Sequence, residues 1–503
     1  MLAQDVPFVG PEIQWWHLSP LITLVAGALF LLLAGALSPK WPRGLYGVVA
    51  AATAALAGVF AYLQWRTIDD DGVALLAGRA LAFDHLAQFL TITICAATAL
   101  VALVTSDELH RNGRDAPEMY AMFLVAAAGG VVMSSANDLI VLFLGLETLS
   151  LALYVLAASD RHRTASQESG IKYFVLGGFA SAFLLYGIAL VYGGTGSTKI
   201  AGPGGIIDSF NTVVSLDGDH ALVLAGLALL IVGLGFKVAA VPFHVWTPDV
   251  YEGAPTNVTA FMASVGKAAA FAAMVRVLVV ALPFQRDDWR PAIWVLAVAS
   301  LVVGSMLAIV QTDVKRMLAY SSISHAGFIL VGIEAAGHDS VGDGVPSVAN
   351  YLLLYAVLTI GSFAVVALVG RSNGGDTSID AFAGLAQRRS TLAIALTVFL
   401  LAQAGVPFTS GFIAKWGVIQ AAVEEGSYAI GIIAMLAAVI AAFMYLRIMV
   451  KVWLEAGESS VESEPIPFAT GVSIALAAAF TLFIGVWPEW LLDATDTVTQ
   501  YAK

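Results

Sequence analysis

Long apolar stretches recur along the whole chain, separated by short polar segments. A bilayer core about 30 Å thick needs about 20 apolar residues per helix, so each stretch of that length predicts one membrane span. Roughly fourteen windows meet this criterion. They cover approximately residues 18–37, 44–64, 83–105, 117–136, 138–158, 168–192, 220–250, 254–281, 291–311, 315–336, 348–369, 391–422, 427–453 and 466–487. The pattern predicts an all-α polytopic membrane protein whose residues 1–503 form a single integral membrane domain.

Two of these windows are too long for one straight helix, because a helix of their length rises about 47 Å. The seventh, residues 220–250, contains Pro242, and the twelfth, residues 391–422, contains Pro407. A proline removes a backbone donor and clashes with the preceding turn, so carbonyls freed there need water or protein partners. We therefore predict broken helices at spans 7 and 12.

The two broken windows lie five spans apart. Because five is odd, helices at that interval cross the membrane in opposite directions. Interrupted helices in corresponding positions of two halves are typical of transporters built from inverted repeats, where they mark an ion site. The spacing predicts two inverted five-helix repeats, spans 4–8 and 9–13, over residues 117–281 and 291–453.

The composition excludes an ordinary soluble enzyme. Of 503 residues, 59% are hydrophobic and 12% are charged, about half the charged share of a soluble protein. The single cysteine, Cys95, lies in an apolar window, so this chain offers no disulfide framework or cysteine-held redox cofactor. Alternate loops carry twelve and six basic residues. The positive-inside rule assigns the richer set to the cytoplasm, so we expect both termini on the other side.

Six of the 24 basic residues fall inside the predicted helices. A charge near the bilayer centre costs at least about 2.5–3.5 kcal/mol, so it normally faces protein or water and serves a function. The six are Lys172, Lys237, Lys267, Arg276, Lys415 and Arg447. Arg276 and Arg447 lie near enough to helix ends to be anchors at the headgroups. Lys267 and Glu147 are central, so each is either functional or paired with a buried opposite charge.

Three stretches of sequence are recognisable. Residues 236–271 read FKVAAVPFHVWTPDVYEGAPTNVTAFMASVGKAAAF, and residues 313–328 and 405–416 read DVKRMLAYSSISHAGF and GVPFTSGFIAKW. By these residues the chain resembles the subunit N family of respiratory complex I, the proton-pumping NADH:quinone oxidoreductase, over nearly its full length. The PDVYEG segment is typical of subunit N, whereas the last two stretches are shared across the antiporter-like group.

The resemblance implies a proton path made of seven side chains. They are Glu147, Lys172, Lys237 and Lys267, matching residues of the fifth to eighth helices, Lys415, matching one of the twelfth, and the family histidines His244 and His325. Each histidine taken alone is as readily a hydrogen-bonded core residue. His325 follows three nearby serines and is the better candidate for a relay, since imidazole can pass a proton between its two nitrogens. One departure is Gly266, where related sequences often have proline.

Burial favours the neutral form of a lysine, and a nearby carboxylate favours its charged form. Movement of Glu147 relative to Lys172 or Lys237 would therefore switch a lysine between holding and releasing a proton. We expect protons to enter from the cytoplasmic side, pass Lys237, His325 and Lys267, and leave near Lys415.

The resemblance places the redox chemistry in other chains. No cofactor is expected here, and NADH, FMN, iron–sulfur clusters and quinone are implied in partner subunits. The expected partners are the antiporter-like and small membrane subunits of complex I and the lipid of a bacterial inner (plasma) membrane, with no nucleic acid. The chain would then be part of an enzyme only as a translocase subunit. The alternatives are a subunit of a cation/proton antiporter or membrane-bound hydrogenase complex, and a passive scaffold whose buried charges only pair.

Overall fold

The computed structural model describes residues 13–37, 41, 44–111, 116–214, 220–338, 344–457 and 465–501. Nearly all of this part of the chain is helical, as hydrocarbon demands, because a helix satisfies its own backbone polar groups without water. The one sheet within it is an antiparallel hairpin of β1 (Ala74–Leu76) and β2 (Leu81–Phe83).

The helices fall into two halves of the chain. The first half contains α1 (Ser19–Leu37), α2 (Leu45–Asp71), α3 (His85–Arg111), α4 (Pro117–Ser135), α5 (Leu139–Ala157), α6 (Thr164–Thr195), α7 (Ile206–Val214), α8 (His220–Val238), α9 (Trp246–Gly253), α10 (Thr256–Phe261) and α11 (Lys267–Val275). The second half contains α12 (Arg286–Ile309), α13 (Val314–Ala335), α14 (Gly344–Ser372), α15 (Leu385–Arg388), α16 (Ser390–Ala404), α17 (Ser410–Glu424), α18 (Tyr428–Leu454), α19 (Phe468–Val486) and α20 (Glu489–Asp496). Short 3₁₀ turns cover Pro283–Gln285, Ile379–Phe382 and Thr497–Thr499.

Thirteen helical segments in the described part are long and apolar enough to cross a membrane. The remaining predicted window, residues 391–422, forms the two shorter helices α16 and α17. The prediction of an all-α membrane protein with about fourteen spans is therefore confirmed. Both predicted breaks are also present, between α8 and α9 and between α16 and α17.

A third irregular span was not predicted. α10 and α11 belong to one membrane segment, Thr256–Ala281, which two π-helical turns interrupt at Met262–Gly266 and Arg276–Ala281. A π turn widens a helix by one residue and is frequent at functional sites. The first of these turns ends immediately before Lys267. The helix is therefore widened directly next to the residue that carries this lysine side chain.

Close helix contact fixes the position of α13, which is almost entirely buried. A Cβ atom added at Gly304 of α12 would lie 2.5 Å from the backbone nitrogen of Ser324. A Cβ added at Gly327 of α13 would lie 2.7 Å from the backbone nitrogen of Leu301. Small residues of this kind let the backbones of membrane helices approach each other. The polar residues of α13 are thereby held in the centre of the second half.

Arg276, expected to anchor at the headgroups, is buried in protein instead, so that expectation is wrong. It is 1% exposed, and its guanidinium donates two hydrogen bonds of 2.6 Å to the carboxylate of Asp84. Arg447 donates to the backbone carbonyls of Ile309 and Gln311 at 2.7 and 3.0 Å, at the end of α12. Position along a helix does not distinguish an anchor from a buried pair, because the partner lies on another segment of the chain.

The Asp84–Arg276 pair makes a testable prediction about stability. Both side chains are almost fully buried, so Asp84→Asn leaves a buried guanidinium without its counter-charge, which costs about 3–5 kcal/mol. We expect a lower unfolding midpoint in detergent and less protein in the membrane. The control is Asp69→Asn, since Asp69 is 61% exposed and should change stability little. An unchanged midpoint for Asp84→Asn would mean that the pair contributes nothing.

Candidate functional site

Lys237 occupies the last turn of α8, just before the first break, and is 7% exposed. Its Nζ donates to the Ser150 hydroxyl at 2.6 Å and lies 3.4 Å from the Tyr154 hydroxyl. Both partners are on α5, on the face that also carries Glu147, because residues three, four and seven apart share one side of a helix. The amine therefore has hydroxyl partners and no carboxylate within ion-pair distance in the described part of the chain.

Aromatic rings complete the surroundings of this amine. Nζ of Lys237 lies 5.4 Å from the ring centre of Tyr154, 5.6 Å from that of Tyr173 and 5.8 Å from that of Phe236. Tyr173 is stacked on Trp246 with 4.5 Å between ring centres. The faces of aromatic rings attract a cation, so a protonated Lys237 is stabilised here without a counter-ion.

At this break a backbone carbonyl accepts from an indole as well as from the backbone N–H of Ala239. Trp246 donates its indole N–H to the Phe236 carbonyl at 3.0 Å. Lys237 is not needed for that task, so its amine is free to bind Ser150.

Glu147 is half-buried on α5 and accepts a hydrogen bond from the Ser181 hydroxyl of α6. Among the described residues it forms no ion pair with Lys237 or Lys172. The carboxylate and the amine of Lys237 therefore act on each other only through space in this conformation.

Lys172 lies apart from the buried amines, with a side chain 41% exposed. It forms ion pairs with Glu168 at 2.6 Å and Asp249 at 2.7 Å. Asp249 also binds Arg316 at 2.8 Å, and Arg316 binds Glu252 at 2.7 Å. These side chains line a pocket of about 410 Å³ where α6, α9 and α13 meet. Lys172 thus belongs to a charged surface pocket and does not contact Glu147.

The second group of polar residues is gathered around α13. Lys267 is 2% exposed and donates to the backbone carbonyl of Ser322, with its amine 5.8 Å from the Tyr355 ring centre. A backbone carbonyl has two lone pairs, so it can accept the amine as well as its helical N–H partner. The amine of Lys267 therefore contacts the second half of the molecule, although the residue itself belongs to the first half.

His325 lies one helical turn beyond Ser321 and is 3% exposed. Its Nδ1 is 2.6 Å from the Tyr351 hydroxyl and its Nε2 is 3.2 Å from the Tyr445 hydroxyl. The Tyr445 hydroxyl is also 2.5 Å from the Ser321 hydroxyl. A neutral imidazole donates from one nitrogen and accepts at the other, so His325 links two hydroxyls in either tautomer.

Lys415, 6% exposed, lies across the second break from the end of α16. Its Nζ donates to the carbonyls of Gln403 and Ala404 at 2.8 and 3.0 Å. Gly405 ends α16 with φ +89°, and a Cβ there would lie 2.9 Å from Cδ of Lys415. Here the lysine does satisfy the carbonyls freed by the break, and the glycine provides both the turn and the space.

Gln403 connects this lysine to His325. Its side chain accepts from the Ser321 hydroxyl at 3.4 Å and donates to the Ser362 hydroxyl at 2.6 Å. The second half therefore holds a linked polar group that runs from Lys267 along α13 to Lys415.

His244 lies in the turn between α8 and α9 and is half-buried, and its Nδ1 has no hydrogen-bond partner among the described residues. Its contacts in that part of the chain do not join it to a lysine. Of the seven residues singled out in the sequence, Lys267, His325 and Lys415 are brought into one group. Lys237 and Glu147 share the α5 face, whereas Lys172 and His244 lie elsewhere.

Sequence reasoning missed the side chains that connect these groups. They are the tyrosines at 154, 173, 351 and 445, together with Gln403. The one available signal was their position, since each is a polar side chain within an otherwise apolar window. Within the described residues, no three histidine, cysteine or acidic side chains lie close enough to hold a metal ion.

Comparison with known proteins gives close relatives over the full length. Residues 136–441 match the family model "NADH:quinone oxidoreductase/Mrp antiporter, TM". The chain is 40% identical to NADH-quinone oxidoreductase subunit N 3 of Streptomyces griseus, covering 99% of this chain and 96% of the relative. It is 38% identical to NADH-quinone oxidoreductase subunit N of Rhodococcus opacus, covering 100% and 99%.

Solved structures share the fold. A chain of respiratory complex I from Thermus thermophilus is 32% identical with a TM-score of 0.78, covering 95% of this chain and 99% of that one. A chain of the Mrp complex from Dietzia sp. superposes with a TM-score of 0.83 at 20% identity, covering 97% of both chains. The second likeness shows the fold alone. Family model, relatives and structures together establish that this chain belongs to the subunit N family of NADH-quinone oxidoreductase, within the antiporter-like membrane subunits.

Proposed function

We propose that this chain is a proton-translocating membrane-arm subunit of a NADH:quinone oxidoreductase. The observation that carries the proposal is that Lys237, Lys267 and Lys415 are each 7% exposed or less and bind protein oxygens rather than carboxylates. A buried lysine of this kind can exist with or without its extra proton, which is the property a carrier needs. The 38–40% identity to subunit N relatives supports the assignment of the complex.

The energy for this movement comes from other chains. The relatives are named as subunits of a NADH-quinone oxidoreductase, so NADH, FMN, iron–sulfur clusters and quinone belong to partner subunits. This chain supplies the proton path within a multi-pass protein of the bacterial plasma membrane. Its membrane-arm partners are antiporter-like and small membrane subunits, and both its termini face away from the cytoplasm.

The path we propose contains three lysines that bind the proton one after another. A proton taken up from the cytoplasmic side, next to the charged pocket of Lys172, reaches Lys237. Water in the bundle carries it to Lys267, from which the hydroxyls of α13, His325 and Gln403 lead to Lys415. In this proposal His325 comes after Lys267, whereas the order expected from the sequence was Lys237, His325 and then Lys267; the contacts of His325 with the second half support the change.

Glu147 provides the control in this mechanism. Movement of its carboxylate towards Lys237 favours the ammonium ion, and movement away favours release of the proton to water. The two predicted repeats, residues 117–281 and 291–453, would each supply one half of the path, with the broken helices α8–α9 and α16–α17 in corresponding places.

The competing candidate is a cation/proton antiporter subunit, because the family model that matches residues 136–441 also covers Mrp antiporters. The identity of this chain to the Mrp chain, 20%, is lower than its 32% identity to the complex I chain. Purification of the native complex separates the two: flavin- and iron–sulfur-containing subunits that purify with the chain support complex I, and small antiporter subunits support the alternative.

The first functional prediction concerns the Glu147–Lys237 pair. In an assembled complex, Lys237→Ala and Glu147→Ala should each lower quinone reduction and proton pumping together by about tenfold, which corresponds to ~1.4 kcal/mol in the barrier. Quinone reduction is measured as the rate of NADH oxidation with quinone, and proton pumping is measured as the proton gradient in inverted vesicles. Lys172→Ala should have a milder effect, because its amine is exposed, and Lys199→Ala in a loop serves as the control. Normal pumping by a Glu147→Ala Lys237→Ala double variant would favour a passive scaffold.

The second functional prediction concerns the hydroxyl between His325 and Ser321. Tyr445→Phe removes this hydroxyl and keeps the ring, so the link along α13 is cut while packing is retained. We expect proton pumping to fall roughly threefold to tenfold, the change that follows from ~1 kcal/mol of lost hydrogen bonding. Tyr428→Phe on the same helix is the control because that ring is 63% exposed. Equal rates for both variants would remove Tyr445 from the path.

A further inference from the structure

A second cluster of titratable side chains lies at the far end of α13, beyond the path described above. Glu334 is 3% exposed, although a carboxylate is rarely buried unless it is paired. Its Oε1 accepts from the Ser427 hydroxyl at 3.1 Å and lies 3.4 Å from Nε2 of His338 and 4.0 Å from Nε of Arg290. Its Oε2 is buried and has no hydrogen-bond partner among the described residues. One carboxylate oxygen is therefore positioned to take up a proton or bind water.

The partners of Glu334 become more exposed towards the surface. The side chain of Glu334 is 4% exposed, that of Glu425 is 12%, that of His338 is 19% and that of Arg290 is 33%. Nδ1 of His338 lies 3.3 Å from Nη1 of Arg290 and 4.0 Å from Oε2 of Glu425. The cluster therefore connects a buried oxygen to the surface through a histidine, with one cation on α12 and a second carboxylate at the end of α17.

The same end of the molecule can be reached from the lysine path. Glu334 lies nine residues, or about 14 Å, along α13 from His325. α14 runs back alongside from Gly344 to Tyr351, which binds His325. Between them Asn350 is 3% exposed, and its Oδ1 is a buried acceptor without a partner in the described chain. Ser347 lies beside Gly332, where a Cβ would come within 3.2 Å of its hydroxyl. Two polar side chains of α14, Ser347 and Asn350, thus lie along the helix within this interval.

We infer that Glu334 and His338 form the proton-release site of this chain, on the side of the membrane opposite Lys315 and Arg316; this inference rests on the proposed function. A proton arriving through Asn350 and bound water binds Oε2 of Glu334 and neutralises the carboxylate. When His338 carries its hydrogen on Nδ1, Nε2 is free to accept that proton, which leaves a carboxylate and an imidazolium.

The imidazolium then releases the hydrogen on Nδ1 to outer water, either directly or by way of Glu425, which passes the proton on. The ring that remains has its hydrogen on Nε2, and its Nδ1 accepts from Arg290, since a guanidinium can only donate. One proton has moved from Glu334 to the surface, and no other group has gained or lost one. Exchange with outer water restores the first tautomer. The positive charge of Arg290 opposes the imidazolium and favours its release of a proton.

The test is Glu334→Gln in the assembled complex, with quinone reduction and proton pumping measured in inverted vesicles. Removal of a proton-transfer group should slow pumping roughly tenfold or more, and Glu334→Asp, which keeps a carboxyl group, should restore part of it. The matched control is Glu424→Gln, because Glu424 is exposed and hydrogen-bonded to Gln420. It should pump like the parent.

A second variant keeps the test decisive if Glu334→Gln does not assemble. In His338→Gln the glutamine amide can still donate a hydrogen bond to Glu334, but it cannot become a cation. This variant should therefore slow pumping as strongly as Glu334→Gln. Parental pumping by Glu334→Gln, or by His338→Gln where the first does not assemble, overturns the release site. If Lys415→Ala remains defective in that case, the proposed function stands without it. If Lys415→Ala also pumps normally, the proposed function itself is wrong.

Discussion

Hydrocarbon offers no water, so every backbone carbonyl released at a helix break must find a donor within the protein. At the break between α16 and α17 that donor is the ammonium group of Lys415, which binds the carbonyls of Gln403 and Ala404. The lysine is therefore part of the fold and of the proposed path at the same time. Loss of its extra proton leaves two N–H donors for the two acceptors but removes the charge that strengthens both hydrogen bonds. The protonation of Lys415 and the geometry of this break are thus coupled.

At the first break the donors are neutral. The Phe236 carbonyl accepts from the indole of Trp246 and from the backbone N–H of Ala239, which leaves Lys237 to bind a serine hydroxyl among three aromatic rings. A hydroxyl can donate as well as accept, whereas a carbonyl can only accept. A neutral Lys237 can therefore donate to its partner or accept from it, whereas Lys415 can only donate to its two carbonyls in either form. The two breaks look alike in sequence, but their lysines differ in how strongly the fold favours the charged form.

Much of the architecture follows from the sequence because it depends on local properties. Window length and hydropathy predict the spans, and Pro242 and Pro407 predict the breaks, since both effects act within a few residues. The burial of Lys267 follows from its central position. What could not be predicted is which groups meet. Arg276 and Asp84 are 192 residues apart, and Tyr445 reaches Ser321 across 124, so only tertiary packing brings them together. The π turn before Lys267 leaves no distinct mark in an apolar sequence.

The two halves of the path differ in continuity. Around α13, side-chain contacts join His325, Tyr445, Ser321 and Gln403 in one series, and Lys267 and Lys415 bind backbone carbonyls of Ser322 and Gln403 at its two ends. No contact among the described residues joins Lys237 to Lys267. Under the proposed function this gap is a requirement, because a path open to both sides of the membrane at once would let protons run back down their gradient. The energy of the distant redox reaction must then act where the gap lies, on water and on the α5 face that carries Glu147. Under the proposed function, the control of the pump would lie in the first half, and the second half would carry the proton along groups that are already in contact.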